Sequence, residues 1–242
     1  ENTDRNLFIT GKAGTGKTTF LRSVKEKSHK RMVVVAPTGV AAINAKGVTI
    51  HSFFQMPFGP ILPNQIAHTS NQQRRFSRAK IDIIKSLDLV VIDEISMVRA
   101  DVLDGIDQVL RRYKNKHKVF GGVQILMIGD LQQLAPVVKP NEWSLLKEHY
   151  NTVYFFSSKA YQSASVISIE LQHIYRQKNA DFIKILNEIR NDQLSETSAA
   201  ILNKRYQPMF SPHKDEGYIT LTTHNKRASL INDSELNTLT TK

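Results

Sequence analysis

The chain has 242 residues, 40% of them hydrophobic and 23% charged, with no cysteine and a net charge of +11. That length buries a core as one large or two small domains, and the missing cysteine excludes a disulfide scaffold, a cysteine-ligated zinc site and a cysteine nucleophile. The basic excess points to a polyanionic partner, most often nucleic acid, or else to mere solubility. With no apolar run near the ~18 residues of a membrane span and no signal peptide, a soluble intracellular protein is expected.

Residues 7–9 form a short apolar run that ends at Thr10 and Gly11. The stretch GKAGTGKT at 11–18 then satisfies G-x-x-x-x-G-K-[ST], between a predicted strand and a helix predicted over 17–27. Its glycines let backbone N–H groups wrap phosphate oxygens, and a helix start favours their negative charge. Gly14, Thr15, Gly16, Lys17, Thr18 and Thr19 are therefore the predicted phosphate-binding set. Lys17 is expected to reach the β- and γ-phosphates of ATP, and Thr18 to ligate Mg²⁺.

A second run, 32–35, leads to Ala36, Pro37, Thr38 and Gly39, and VTIHSFF follows at 48–54. Hydroxyl and aromatic groups interleaved in this way suit stacking on single-stranded bases. Of Phe53, Phe54 and Phe58, one is expected to touch DNA and two to pack, with Phe53 named as the contact beside Thr38, Gly39 and His51. Residues 55–80 are rich in Pro, Gln, Asn and Arg and read as an inserted subdomain. Arg74, Arg75 and Arg78 form a candidate phosphate track there. The basic windows at 22–31 and 111–118 fall at the opposite edge and read as solvated faces.

The third run, 89–92, ends in Asp93 and Glu94. An acidic pair there can simply start a helix. Behind a phosphate loop it also fits a Mg²⁺ ligand, Asp93, and a group that orients or deprotonates water, Glu94. A helix is predicted over 101–113. A fourth run, 125–128, ends in Gly129 and Asp130, and Gln133 beyond it is either a plain loop amide or a γ-phosphate sensor. A fifth run spans 153–156. Short unalternating runs separated by helices predict a parallel sheet buried on both faces. Ligands bind such sheets at the carboxyl ends of strands, where each of these motifs falls. From residue 166 a second unit is expected, with strands at 166–169 and 218–221 and helices at 181–190 and 197–206. Arg176 near its start is either a surface arginine or an arginine finger offered across a cleft.

These stretches, with APTGVAA at 36–42, IDEISM at 92–97, FGGVQ at 120–124, GDLQQLAP at 129–136 and LQHIYRQ at 171–177, resemble the PIF family of DNA helicases (superfamily 1B). Related helicases share the early motifs, and the FGGVQ run favours PIF. The resemblance covers most of residues 6–177, with a weaker likeness at 182–190 and 221–226. It implies an α/β fold: a P-loop RecA-like parallel sheet flanked by helices over 1–165, with the insertion near 55–80, and the beginning of a second RecA-like domain over 166–242. It further implies an ATP- and Mg²⁺-dependent monomeric motor that tracks single-stranded DNA 5′ to 3′ and opens duplex or G-quadruplex junctions. Such a motor works in the bacterial nucleoid, or in a nucleus or mitochondrion. On the same resemblance Arg176 becomes an arginine finger. Thr38, His51 and the loop from Gln133 to Pro136 become DNA or coupling positions, and His224 and Asn225 become DNA contacts. Leu131 and Ala135 depart from the family's usual Phe and Pro. The chain starts at Glu1 and is expected to be a piece of a longer protein, without the upstream glutamine motif and the last motor motifs. Two other readings stand: a nucleotide- and DNA-binding module with little turnover of its own, and a P-loop ATPase acting on protein or RNA.

Overall fold

The short apolar runs become strands because helices cover both of their faces, and the computed structural model describes this for residues 3–63, 76–210 and 216–238. In chain order the elements are β1 (Asn6–Gly11), α1 (Lys17–Lys27), β2 (Met32–Ala36), α2 (Gly39–Asn44), β3 (Val48–Thr49) and α3 (Ile50–Phe54). Then come α4 (Arg78–Ser86), β4 (Leu89–Ile92), α5 (Ala100–Tyr113), β5 (Gln124–Ile128), α6 (Pro140–Leu146), α7 (Lys159–Ser163), β6 (Val166–Leu171) and α8 (Ala180–Arg190). The six strands form one parallel sheet in the order β3-β2-β4-β5-β1-β6. Every residue of β4 and β5 is buried, as two-sided coverage requires.

Alternation reappears in which core each residue joins. Val90, Ile92, Ile125 and Met127 share one cluster with Leu103, Ile106 and Leu110 of α5. Leu89, Val91, Leu126 and Ile128 join Leu21 of α1 in the other. Three acids on α5, at every third residue, are buried and act as clamps. Asp101 accepts the Ile61 N–H at 2.8 Å and pairs with Arg99. Asp104 accepts the Tyr150 hydroxyl at 2.9 Å and the Lys159 and Ala160 N–H groups. Asp107 accepts the Phe120 N–H and pairs with Arg111 at 2.7 Å. A buried carboxylate is tolerated only with such partners, so α5 fixes three separate loops against the sheet. FGGVQ is one of them. Gly121 has φ +63 and lies so close to α5 that a Cβ would meet the Leu110 carbonyl at 2.5 Å.

Three expectations are corrected. The strand at 166–171 does not open a second domain: it pairs with β1 over six residues as the edge of the first sheet. The chain divides instead into Glu1–Arg190 and Asn191–Lys242. Residues 153–156 make only a single antiparallel bridge, between Tyr154 and Arg99, before a 3-10 turn. Residues 218–221 form no strand, and Tyr218, Ile219 and Leu221 are exposed, with no neighbouring strand among the described residues to satisfy their backbone. In that second unit the described residues form α9 (Glu196–Asn203) and α10 (Asn225–Leu236).

Candidate nucleotide and nucleic-acid site

The Gly-rich loop leaves β1 at its carboxyl end and feeds α1. Gly14 and Gly16 have φ of +82 and +91, backbone that side-chain-bearing residues rarely adopt. Helix α1 has no side-chain cap and no acid in its first turn, so its leading N–H groups stay available to an anion. Thr15 is buried and donates its hydroxyl to the Lys12 carbonyl at 2.8 Å, whereas Thr18 and Thr19 are exposed. Lys17 Nζ donates to the carbonyls of Gly11 and Lys12 at 2.5 and 3.0 Å. Burial pushes the Lys17 ammonium down, against the pull of Asp130, Glu94 and Asp93, which raises it.

Asp93 and Glu94 follow β4, and β5 separates that strand from β1. The Asp93 N–H is anchored on the Val35 carbonyl at 2.9 Å, and Asp93 Oδ1 accepts the Glu94 N–H at 3.1 Å. Glu94 adopts a left-handed backbone, φ 52, that turns the chain sharply off the strand. Both carboxyls are half-buried and raised above the ordinary range by burial; Asp93 adds to the rise at Glu94, and Lys17 opposes it at both. Among the described residues no cation pairs with either of them.

Asp130, at the end of β5, is only 1% exposed. Burial would raise its carboxyl, but Arg190 holds it below the ordinary range through a two-pronged pair at 2.7 and 2.8 Å. Gln133 donates its amide to the same carboxylate at 3.1 Å. The stretch leaving β6 covers the phosphate loop: Tyr175 N–H donates to the Gly14 carbonyl at 2.8 Å, and a Cβ on Gly14 would lie 2.7 Å from that of Arg176. Arg176 is exposed and belongs to the same compact unit as the loop, not to a domain across a cleft, because β6 carries it there.

The nucleic-acid candidates divide. Thr38 caps α2, accepting the Ala41 N–H at 3.2 Å, and Gly39 is exposed beside it. Thr38 and His51 line one cleft of about 200 Å³ with Met97, Arg99, Val102 and Val137. Burial pushes the His51 imidazole down, and Arg99 adds to this. Phe53 is a core residue, 7% exposed, edge-on to Phe54 at 4.9 Å and covered by Lys80 Nζ at 3.3 Å. The exposed ring is Phe58, 91% exposed and stacked on His51 at 5.2 Å. Period-3.6 packing of the short α3 turns Phe53 inward, which a run of aromatics does not reveal. Pro136 is likewise buried, while Leu134 and Val137 of its loop are exposed. Arg78 is exposed at the start of α4; Arg74 and Arg75 lie outside the described residues. His224 and Asn225 are exposed where α10 begins, in the second unit.

Sequence reasoning passed over four residues. Asp130 marks a strand end, and nothing near it in the sequence assigns it a role. Lys12, Asn187 and Arg190 join the site through side chains distant in sequence, and the only local signal was Asn187 and Arg190 one helical turn apart.

A strand, a Gly-rich loop and a helix starting in Lys-Thr, with an acidic pair one strand removed on a parallel sheet, define a P-loop nucleotide-binding domain of RecA-like architecture. Residues 1–200 match the family model for the PIF1-like helicase, and the chain belongs to that family. It is 31% identical to the ATP-dependent DNA helicase PIF1 of Emericella nidulans, over 85% of this chain and 27% of that one. To the ATP-dependent DNA helicase Pif1 of Campylobacter jejuni it is also 31% identical, over 98% of this chain and 52% of that one. The crystal structure of Pif1 helicase from Bacteroides in complex with ADP-AlF3 and ssDNA matches with a TM-score of 0.90 at 42% identity, covering 100% of this chain and 55% of that one. The chain thus spans about a quarter to a half of the length of these relatives.

Proposed function

We propose that this chain is the nucleotide-hydrolysing, DNA-gripping portion of an ATP-dependent DNA helicase that moves 5′ to 3′ along single-stranded DNA. The observation that carries the reading is the placement of Lys17 within one electrostatic cluster with Asp93, Glu94 and Asp130, under an uncapped helix start. The relative solved with ADP-AlF3 and ssDNA supports both ligands, and the one at forked dsDNA supports a duplex junction as substrate. A G-quadruplex junction is a further expected substrate, and a monomer the expected working form.

In this reading Lys17 exchanges the Gly11 and Lys12 carbonyls for the β- and γ-phosphate oxygens of ATP. The exposed Thr18 hydroxyl and the Asp93 carboxylate, which no cation among the described residues pairs with, fit a hard divalent ion and would hold Mg²⁺. That ion supplies charge neutralisation on the phosphates. Glu94 takes a proton from the attacking water as its oxygen bonds to the γ-phosphorus and the bond to the β–γ bridging oxygen breaks. Gln133 contacts the terminal phosphate, and Arg176 stabilises charge that develops on it. Thr38, His51 and Phe58 line the DNA path. Closure around ATP and reopening after hydrolysis would drive stepping.

The test is ATP hydrolysis with and without single-stranded DNA, beside Lys17→Ala. DNA-stimulated turnover that the substitution abolishes supports the motor reading. Nucleotide binding that depends on Lys17 without stimulated turnover favours the second reading, a binding module. Nucleotide binding that does not depend on Lys17 refutes both.

A further inference from the structure

Helix α8 touches both loops that would meet the phosphates. Asn187 Oδ1 accepts from Lys12 Nζ, in the phosphate loop, at 2.7 Å. One turn later Arg190 engages both oxygens of Asp130, at 2.7 and 2.8 Å. The Arg190 side chain is 21% exposed and its partner 1%, so this is a desolvated, two-pronged pair and not a surface contact. The carboxylate it fixes is the one to which Gln133 donates its amide, and the Gln132 N–H donates there as well at 3.2 Å. The Gln133 backbone N–H closes the turn on the Asp130 carbonyl at 3.0 Å. Three polar anchors of this loop therefore converge on one residue, and Arg190 sets where its carboxylate points.

We propose that Arg190 is a positioning residue for ATP hydrolysis, acting through Asp130 to hold the Gln133 amide where it distinguishes ATP from ADP by the terminal phosphate. The inference rests on the nucleotide-site reading above. Arg190 touches no phosphate itself. A guanidinium locks a carboxylate plane because its two N–H groups meet both oxygens, which a single ammonium does not do. With the plane locked, Asp130 Oδ2 offers Gln133 one defined station from which the amide swings to the γ-phosphate. Without the lock, the Asp130 carboxylate plane is free to turn, and the Gln133 amide loses its fixed station while Lys17 keeps its own anchors on the Gly11 and Lys12 carbonyls.

The experiment measures the affinities of fluorescent ATP and ADP analogues for this chain carrying Arg190→Ala, Arg190→Lys, Gln133→Ala and the Arg190→Ala/Gln133→Ala double substitution. Wild type and Lys17→Ala frame the series. Arg190→Ala is expected to leave ADP affinity within about twofold and to lower the preference for ATP about tenfold, the scale of one hydrogen bond to a charged group. Gln133→Ala should do the same, and the double variant should lose no more than either alone. Arg190→Lys retains the buried charge pair, so it carries the same readout if Arg190→Ala does not fold. It is expected to lose part of the ATP preference with ADP affinity intact. Equal losses of ATP and ADP affinity in an Arg190 variant that folds, an unchanged preference, or additive losses in the double variant would each overturn the proposal. Failure of the underlying nucleotide-site reading shows separately, as ADP affinity that Lys17→Ala leaves untouched.

Discussion

Phe53 and Phe58 lie five residues apart and have opposite surroundings, so replacing each with Ala separates packing from recognition. Phe53 is 7% exposed within the larger core cluster, with Phe54 edge-on at 4.9 Å and the Lys80 ammonium over its face. Truncating a ring in such a setting costs about 3–5 kcal/mol. For a chain of this size each kcal/mol moves the melting midpoint ~2–4 °C, giving a drop of roughly 6–20 °C. Phe58, at 91% exposed, has among the described residues only the stack on His51 to lose, worth about 1 kcal/mol. If its free face receives a base, truncation forfeits ~1–3 kcal/mol of stacking, roughly a 5- to 150-fold loss of affinity. Thermal melts followed by circular dichroism give the first quantity. Fluorescence anisotropy with a labelled oligothymidine at one fixed salt concentration gives the second. The reasoning fails if Phe53→Ala weakens DNA binding without lowering the melting midpoint, or if Phe58→Ala binds DNA as wild type does.

Glu94→Gln should cut DNA-stimulated ATP turnover by about 10²- to 10⁴-fold while nucleotide affinity stays within about threefold, as loss of a general base requires; single-turnover hydrolysis checks it. Gly14→Ala places a Cβ 2.7 Å from that of Arg176 on a backbone at φ +82, with a conformational penalty of ~1–2 kcal/mol. Nucleotide affinity, read by equilibrium titration, should therefore fall by more than tenfold as the stretch over the loop is displaced. His51 is held below the ordinary imidazole value by burial first and Arg99 second, so the neutral form is the majority in the folded chain at the ordinary value of ~6.5 and increasingly so above it. His51 should then contribute little change in single-stranded DNA affinity from pH 8 to about 7. A rise within that window that His51→Gln abolishes would refute the assignment. The same shift makes the unfolded chain bind more protons between the two values, so the stability tied to His51 is present above the ordinary value and is lost as pH falls from there through the lowered folded value.

The parts legible in the sequence are those whose chemistry is local. The Gly-rich loop announces itself because the constraint on Gly14 and Gly16 and the reach of Lys17 act within eight residues, and Asp93 and Glu94 because a buried run stops at them. The edge strand at 166–171 illustrates the opposite case. Its residues read correctly as a strand, yet whether it opens a new sheet or joins β1 depends on a partner more than 150 residues earlier. Assigned to a new sheet, it shifts the domain boundary and puts Arg176 across a cleft; paired with β1, it keeps Arg176 beside the phosphate loop. The aromatic cluster hides its exposed member, since a run of phenylalanines carries no mark that α3 turns both Phe53 and Phe54 inward and leaves Phe58, beyond its end, in solvent. Arg190 was the least legible of all. An arginine at a helix end is ordinary, and only the fold shows that its partner is a carboxylate 60 residues earlier that also holds Gln133. The phosphate-binding groups are thus written in contiguous motifs, whereas the residues that aim them are supplied by distant helices through buried charge. Substitutions at the second kind of position should therefore alter discrimination between nucleotides before they alter the ability to bind one.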